Sequence, residues 1–305
     1  MNMIKTSLVV LAIAAAAAAA LVSHRSYGSH SVPPPTLIDV PEEGVTLPMK
    51  DFGGRPVVEV RIGDKGPYRF ILDTGASISI IDLELQQELS LSSPEGVHAG
   101  TLGTTAPPLI VTVPLLHVER ATIGGFMAAV LPLADYFKTD GAPRGVLSAA
   151  SFPGCLVVFD YPGKQLTIRK GALAVADSKM VFQYGDDESL PVLPLRIAGR
   201  ETLVQLDTGS GSTLTLPRKF LTELPLKSKP VDAGVARLPG GTFPVSAAAV
   251  DGEIAIGAFR LELPEVRFSD VRLGPELGPG NIGYPILKDF VVTLDSKNRR
   301  VRLVR

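Results

Sequence analysis

The tripeptide Asp-Thr-Gly occurs twice, in FILDTGASISIID at residues 70–82 and in VQLDTGSGSTLTL at 204–216. Each copy follows an apolar run, where a bare carboxylate costs on the order of several kcal/mol to bury unless it is partnered. The surroundings repeat as well. Val58, Val60 and Ile62 alternate in VVEVRI, and Leu193, Leu195 and Ile197 do so in VLPLRI, the period of a strand with one buried face. A turn follows in each (GDKGP at 63–67, AGRE at 198–201), then a strand running into the Asp. Beyond the tripeptide each copy continues into an apolar run and a short helical stretch, DLELQQEL (82–89) and PRKFLTEL (217–224). Pro217 suits a first helical turn. Three later pairs of landmarks keep their separation from Asp73 and Asp207 to within one residue: Ile123 and Ile256, Gly145 and Gly280, Asp160 and Asp295. LVVFDYPGKQLTI and VVTLDSKNRRVRL read as hairpins that close the two halves. This register predicts an internal repeat and a mostly β fold.

Composition narrows the function. The chain has 305 residues, enough for about two domains, and 45% of them are apolar. A net charge of −1 offers no basic excess for nucleic acid or an anionic membrane. The single cysteine, Cys155, excludes an internal disulfide and lies in the strand-like run CLVVFD, which predicts a buried, unreactive thiol. The four histidines, His24, His30, His98 and His117, lack ligand spacing, so neither a metal site nor a cofactor is expected. Lys5 followed by the apolar Leu8–Val22, with alanines at 16, 18 and 20, reads as a secretory signal peptide over 1–22; an uncleaved N-terminal anchor is the other reading. Both place the folded part outside the cytoplasm, periplasmic or secreted. Residues 23–43, with SVPPPT, read as a linker, 44–172 as the first domain and 173–305 as the second.

If equivalent loops of the halves meet at a pseudo-twofold axis, Asp73 and Asp207 face each other. Two carboxylates in contact cannot both ionise cheaply, so they share a proton and supply an acid and a base at one place. A water between them can attack a carbonyl. Gly75 and Gly209 let the loops turn tightly, and the Thr74 and Thr208 hydroxyls can bond across to the opposite loop. Ser210 follows Gly209 and could donate to Asp207, while Ala76 in the equivalent place offers Asp73 nothing. That asymmetry predicts a proton resting on Asp73, unless the Ser210 hydroxyl bonds only to backbone.

With FILDTGAS and VQLDTGSG each followed by GVLS or GNIG and a closing hairpin, the chain resembles the retropepsin-like aspartic proteases over roughly residues 45–305. The resemblance implies two tandem β-barrel lobes, one site between them, catalytic Asp73 and Asp207, and interlocking Thr74 and Thr208. It also implies substrate-binding flaps in HAGTLGTTAPPL (98–109) and ARLPGGTFPV (236–245), with Gly100, Leu102, Gly103, Pro239, Gly240 and Gly241 at their tips. Neither window holds a Tyr, unlike the pepsin flap, and Ser148 stands where the second half has Gly283. The expected activity is peptide-bond hydrolysis by one chain whose halves pair with each other, acting on a peptide or protein substrate. A non-catalytic peptide- or ligand-binding protein on the same fold is the alternative, and pairing of halves between molecules is a third reading.

Overall fold

The computed structural model describes residues 33–94, 109–185, 190–238, 241–270 and 279–305. Among them the regular structure is mostly strand. The first half carries β1 (Leu37–Asp39), β2 (Val45–Pro48), β3 (Lys50–Phe52), β4 (Arg55–Ile62), β5 (Lys65–Asp73), β6 (Ser79–Asp82), β7 (Ile110–Val118), β8 (Ala121–Leu131), β9 (Gly145–Ser148), β10 (Cys155–Asp160) and β11 (Gln165–Lys170). The second carries β12 (Val181–Gln183), β13 (Val192–Ile197), β14 (Arg200–Leu206), β15 (Leu214–Leu216), β16 (Val231–Leu238), β17 (Gly241–Ala248), β18 (Ile254–Ile256), β19 (Phe259–Leu261), β20 (Val266–Phe268), β21 (Gly280–Ile282), β22 (Val291–Asp295) and β23 (Arg300–Val304). Among the described residues three short α-helices accompany them: α1 (Leu83–Glu88), α2 (Phe220–Glu223) and α3 (Tyr284–Leu287).

The strands form three sheets. One runs β1-β8-β6-β9-β5-β4-β3, with β7 pairing β4 and β8; a second runs β16-β17-β20-β15-β21-β14-β13-β18-β19. Their centres share a pairing scheme. β5 lies parallel to β9, β9 antiparallel to β6, and β6 parallel to β8. Likewise β14 lies parallel to β21, β21 antiparallel to β15, and β15 parallel to β20. This places the end of each Asp-bearing strand beside the loop that follows its tripeptide. The third sheet, β12-β23-β22-β10-β11-β2, draws three strands from each half.

The alternation read in the sequence is buried as expected: Val58, Val60, Ile62, Leu193, Leu195 and Ile197 all belong to one large core. Each such side chain contributes about 1.5–3 kcal/mol on leaving water. Asp160 and Asp295, the last landmarks, do one job at two hairpin turns. Asp160 Oδ1 accepts the Gly163 N–H at 2.8 Å, and Asp295 Oδ1 accepts the Asn298 N–H at 3.1 Å. Cys155 is buried and free, and burial raises its thiol pKa.

Two local expectations change. The stretch read as a linker holds β1, whose Leu37–Asp39 pair with Thr122–Gly124 of β8. Proline-rich composition hid three residues that gain their order from a distant strand edge. The helix expected to open at Pro217 starts at Phe220; Pro217 instead accepts the Phe220 N–H at 3.1 Å in the turn before it. Among the described residues, no helix is long and apolar enough to cross a membrane.

Candidate active site

Strands β5 and β14 deliver Asp73 and Asp207 to one place, both buried. The loops that follow are tied together by four hydrogen bonds. Thr74 Oγ1 donates to Leu206 O at 2.7 Å and accepts the Thr208 N–H at 3.1 Å. Thr208 Oγ1 donates to Leu72 O at 2.9 Å and accepts the Thr74 N–H at 3.0 Å. Each hydroxyl therefore satisfies one donor and one acceptor of the opposite half, which leaves neither loop with an unpaired buried group at this point.

The glycines of the tripeptides are forced by contact across the same junction. A Cβ on Gly75 would lie 2.6 Å from the Asp207 carboxyl carbon, and one on Gly209 would overlap the Asp73 carboxylate. Each half thus presents bare backbone to the other half's acid.

The two carboxyls lie close enough that each shifts the other's protonation. Asp73 Oδ1 also accepts backbone N–H groups from Gly75 (2.6 Å) and Gly209 (3.0 Å). Asp207 Oδ2 accepts the Asn281 side-chain amide at 2.7 Å, while its Oδ1 is buried without a hydrogen-bond partner. Burial, and then the negative charge of Asp207, push Asp73 well above the usual carboxylate range, and the two N–H donors offset this only in part. Burial also raises Asp207, but the Asn281 amide, the neighbouring Asp73 carboxyl and the Arg55 guanidinium all hold it back. The balance favours a proton on Asp73 and a charge on Asp207.

Asn281 and Arg55 were not among the residues expected from sequence. Asn281 pairs with Gln205 across β14 and β21, and Gln205 Nε2 reaches Gly75 O at 3.4 Å. Arg55 is buried in β4, donates from Nε to Gly209 O at 2.7 Å and from Nη1 to Gly53 O at 3.3 Å. Burial lowers its pKa, and Asp207, Asp73 and Asp51 pull it back up. A comparison of VQLD with FILD exposes Gln205 as a polar residue in an apolar frame, and GNIG with GVLS does the same for Asn281. For Arg55 no local pattern points to the site.

The expected bond from Ser210 to Asp207 is not made. Ser210 Oγ accepts the Ser212 N–H at 3.1 Å, the backbone alternative for a short polar side chain in a turn. Asn281 supplies the donor instead. The substitution of Gly283 by Ser148 has a local answer. A Cβ at Gly283 would collide with Ser210 O and Ser212 O, whereas Ser148 Oγ donates to Ala76 O at 2.6 Å and its N–H reaches Ser79 Oγ at 3.1 Å.

Of the expected flap residues, Gly100, Leu102, Gly103, Pro239 and Gly240 lie outside the described residues. Gly241 opens β17, with φ +140, and pairs with Leu238 of β16, so the second window is a β-hairpin.

An aspartyl protease family model matches residues 58–149, the part of the first half that contains Asp73. Among curated proteins, none matches it.

Proposed function

We propose that the protein is an aspartic endopeptidase, with Asp73 and Asp207 as its acid and base. The observation that carries this reading is the meeting of two buried carboxyls from different halves, each against the glycine backbone of the opposite loop. Burying two like acids together is costly, and the cost makes sense where the shared proton is used. The two sheets act as tandem retropepsin-like lobes, about residues 44–172 and 173–305, related by a pseudo-twofold axis through the dyad. The repeated pairing scheme and the crossed threonine bonds support this arrangement, and pairing within one chain makes a monomer sufficient.

In the reaction, a water held by both acids gives a proton to Asp207 Oδ1 while its oxygen bonds to the peptide carbonyl carbon. Asp73 gives its proton to the carbonyl oxygen. The tetrahedral intermediate collapses as Asp207 returns a proton to the nitrogen, a hydroxyl proton passes back to Asp73, and the C–N bond breaks. The hairpin β16–β17, and the window at 98–109, serve as flaps. Export by the N-terminal segment would put the enzyme in the periplasm or outside the cell.

The test is hydrolysis of an unbiased peptide library across pH, with Asp73→Asn as control. A bell-shaped profile is expected, because activity needs one proton on the pair. Wild-type hydrolysis indistinguishable from the control would favour the binding-protein alternative.

A further inference from the structure

We infer that the surroundings of the acid pair are chemically two-sided, apolar beside Asp73 and hydrogen-bonding beside Asp207, and that they select peptides with an apolar residue on one side of the scissile bond and an uncharged hydrogen-bond donor on the other. This inference rests on the hydrolase reading for its scissile bond, but not for its chemistry of recognition.

The argument starts from register. Ile71 pairs with Val146 across β5 and β9, and Gln205 pairs with Asn281 across β14 and β21. Ile71 stands two residues before Asp73, and Gln205 two before Asp207. Residues two apart on a strand project to the same side, so each pair lies on the carboxylate side of its sheet. The residue five beyond each acid extends the contrast: Ile78 in one half, Ser212 in the other. Ile71, Ile78 and Val146 belong to one apolar cluster, against which the partly buried Phe52, Met127 and Tyr136 pack. Gln205 and Ser212, at matching positions, are just as buried and polar.

The polar side is also unsatisfied. Ser212 Oγ and Asn281 Oδ1 are buried without a hydrogen-bond partner. A buried acceptor left unpaired is costly, and a donor from a ligand relieves that cost. Asn281 has spent its amide on Asp207, so the oxygen it offers can only accept. A ligand that relieves it must donate. Arg55, which donates to the Gly209 carbonyl, already supplies a positive charge opposite Asp207. The fitting side chains are therefore Ser, Thr, Asn and Gln rather than Lys or Arg. Successive side chains of an extended peptide point opposite ways, so neighbours across the scissile bond meet opposite walls.

The experiment sorts one peptide library in two ways: by cleavage with the wild-type protein, and by capture on immobilised protein. In the cleaved pool, one position next to the cut should be aliphatic or aromatic, and the other should favour Ser, Thr, Asn or Gln about tenfold or more over Val or Leu. Gln205→Ile with Asn281→Val should turn the second preference apolar and leave the first alone. Cleavage with apolar residues on both sides overturns the inference and leaves the protease reading standing. Capture of the mixed polar–apolar peptides without cleavage supports the inference and overturns the protease reading. A library neither cleaved nor captured overturns both.

Discussion

Asp73 and Asp207 end equivalent strands, and the loops after them make the same threonine bonds in both directions. Their remaining neighbours differ. Asp73 takes two backbone N–H groups and sits among aliphatic side chains. Asp207 takes one side-chain amide and feels a buried guanidinium. The halves share what joins them and diverge in what tunes the acids. The frame can thus be held constant while protonation and recognition vary, because the two properties depend on different residues.

The largest test of the shared part is to remove each acid in turn. Asp73→Asn and Asp207→Asn should each lower hydrolysis on the order of a thousandfold or more, since the pair acts as a unit. Their stabilities should not match the activities. Asp73 has a raised folded-state pKa, so its favourable contribution is present below the unfolded value and is lost as pH rises through the folded one. At neutral pH, Asp73→Asn is therefore expected to melt above wild type, with the gap closing on acidification to about pH 4 and below. A thermal melt across pH checks this, and a variant that melts lower at neutral pH would sink the burial argument.

Next in size is the interlock. Thr74→Val and Thr208→Val each leave a buried N–H and a buried carbonyl unpaired, which predicts a loss of about 2–4 kcal/mol in denaturant unfolding. The two losses should agree closely. A large gap between them would break the equivalence of the loops.

The sequence made the shared part legible and much of the divergence obscure. Alternating apolar residues, the two tripeptides and the closing hairpins are local patterns, so strands such as β4 and β14 and the meeting of Asp73 with Asp207 could be read in advance. The donor to Asp207 could not. Ser210 is its neighbour in the chain, but the turn aims that hydroxyl at Ser212, and the amide comes from β21, more than 70 residues away, where a parallel strand pairing delivers it. Arg55 is farther still, brought in by the strand before the first Asp-bearing one. The six-stranded sheet was equally hidden, because β2 pairs with β11 across a separation that composition does not record.

Those two distant groups give a smaller and sharper test. Asn281→Val removes a hydrogen bond to the charged form of Asp207, so the acid limb of the pH–rate profile should move up by about one unit. Arg55→Met should move it the same way by removing a positive charge. A shift to lower pH in either variant would assign the charge to the other acid. The smallest effect belongs to Ser210→Ala. It deletes only a bond from the Ser212 N–H, so the acid limb should stay in place, with a stability loss of about 1 kcal/mol. An upward shift would mean that the hydroxyl turns to Asp207 in solution.

The sheet shared by the halves also governs timing during synthesis. β10 pairs with β22, Val157 with Leu294 through Asp160 with Val291, and β22 in turn pairs with β23. A ribosome that has finished the first half has made β10 with a neighbour on one side only. That edge stays open, a template for pairing with another chain, until residues 291–304 emerge. Asp73 meanwhile waits beside a vacant place. The nascent chain thus lacks its second acid while it exposes a strand edge, so the step that completes the site also follows the interval of greatest risk of wrong pairing.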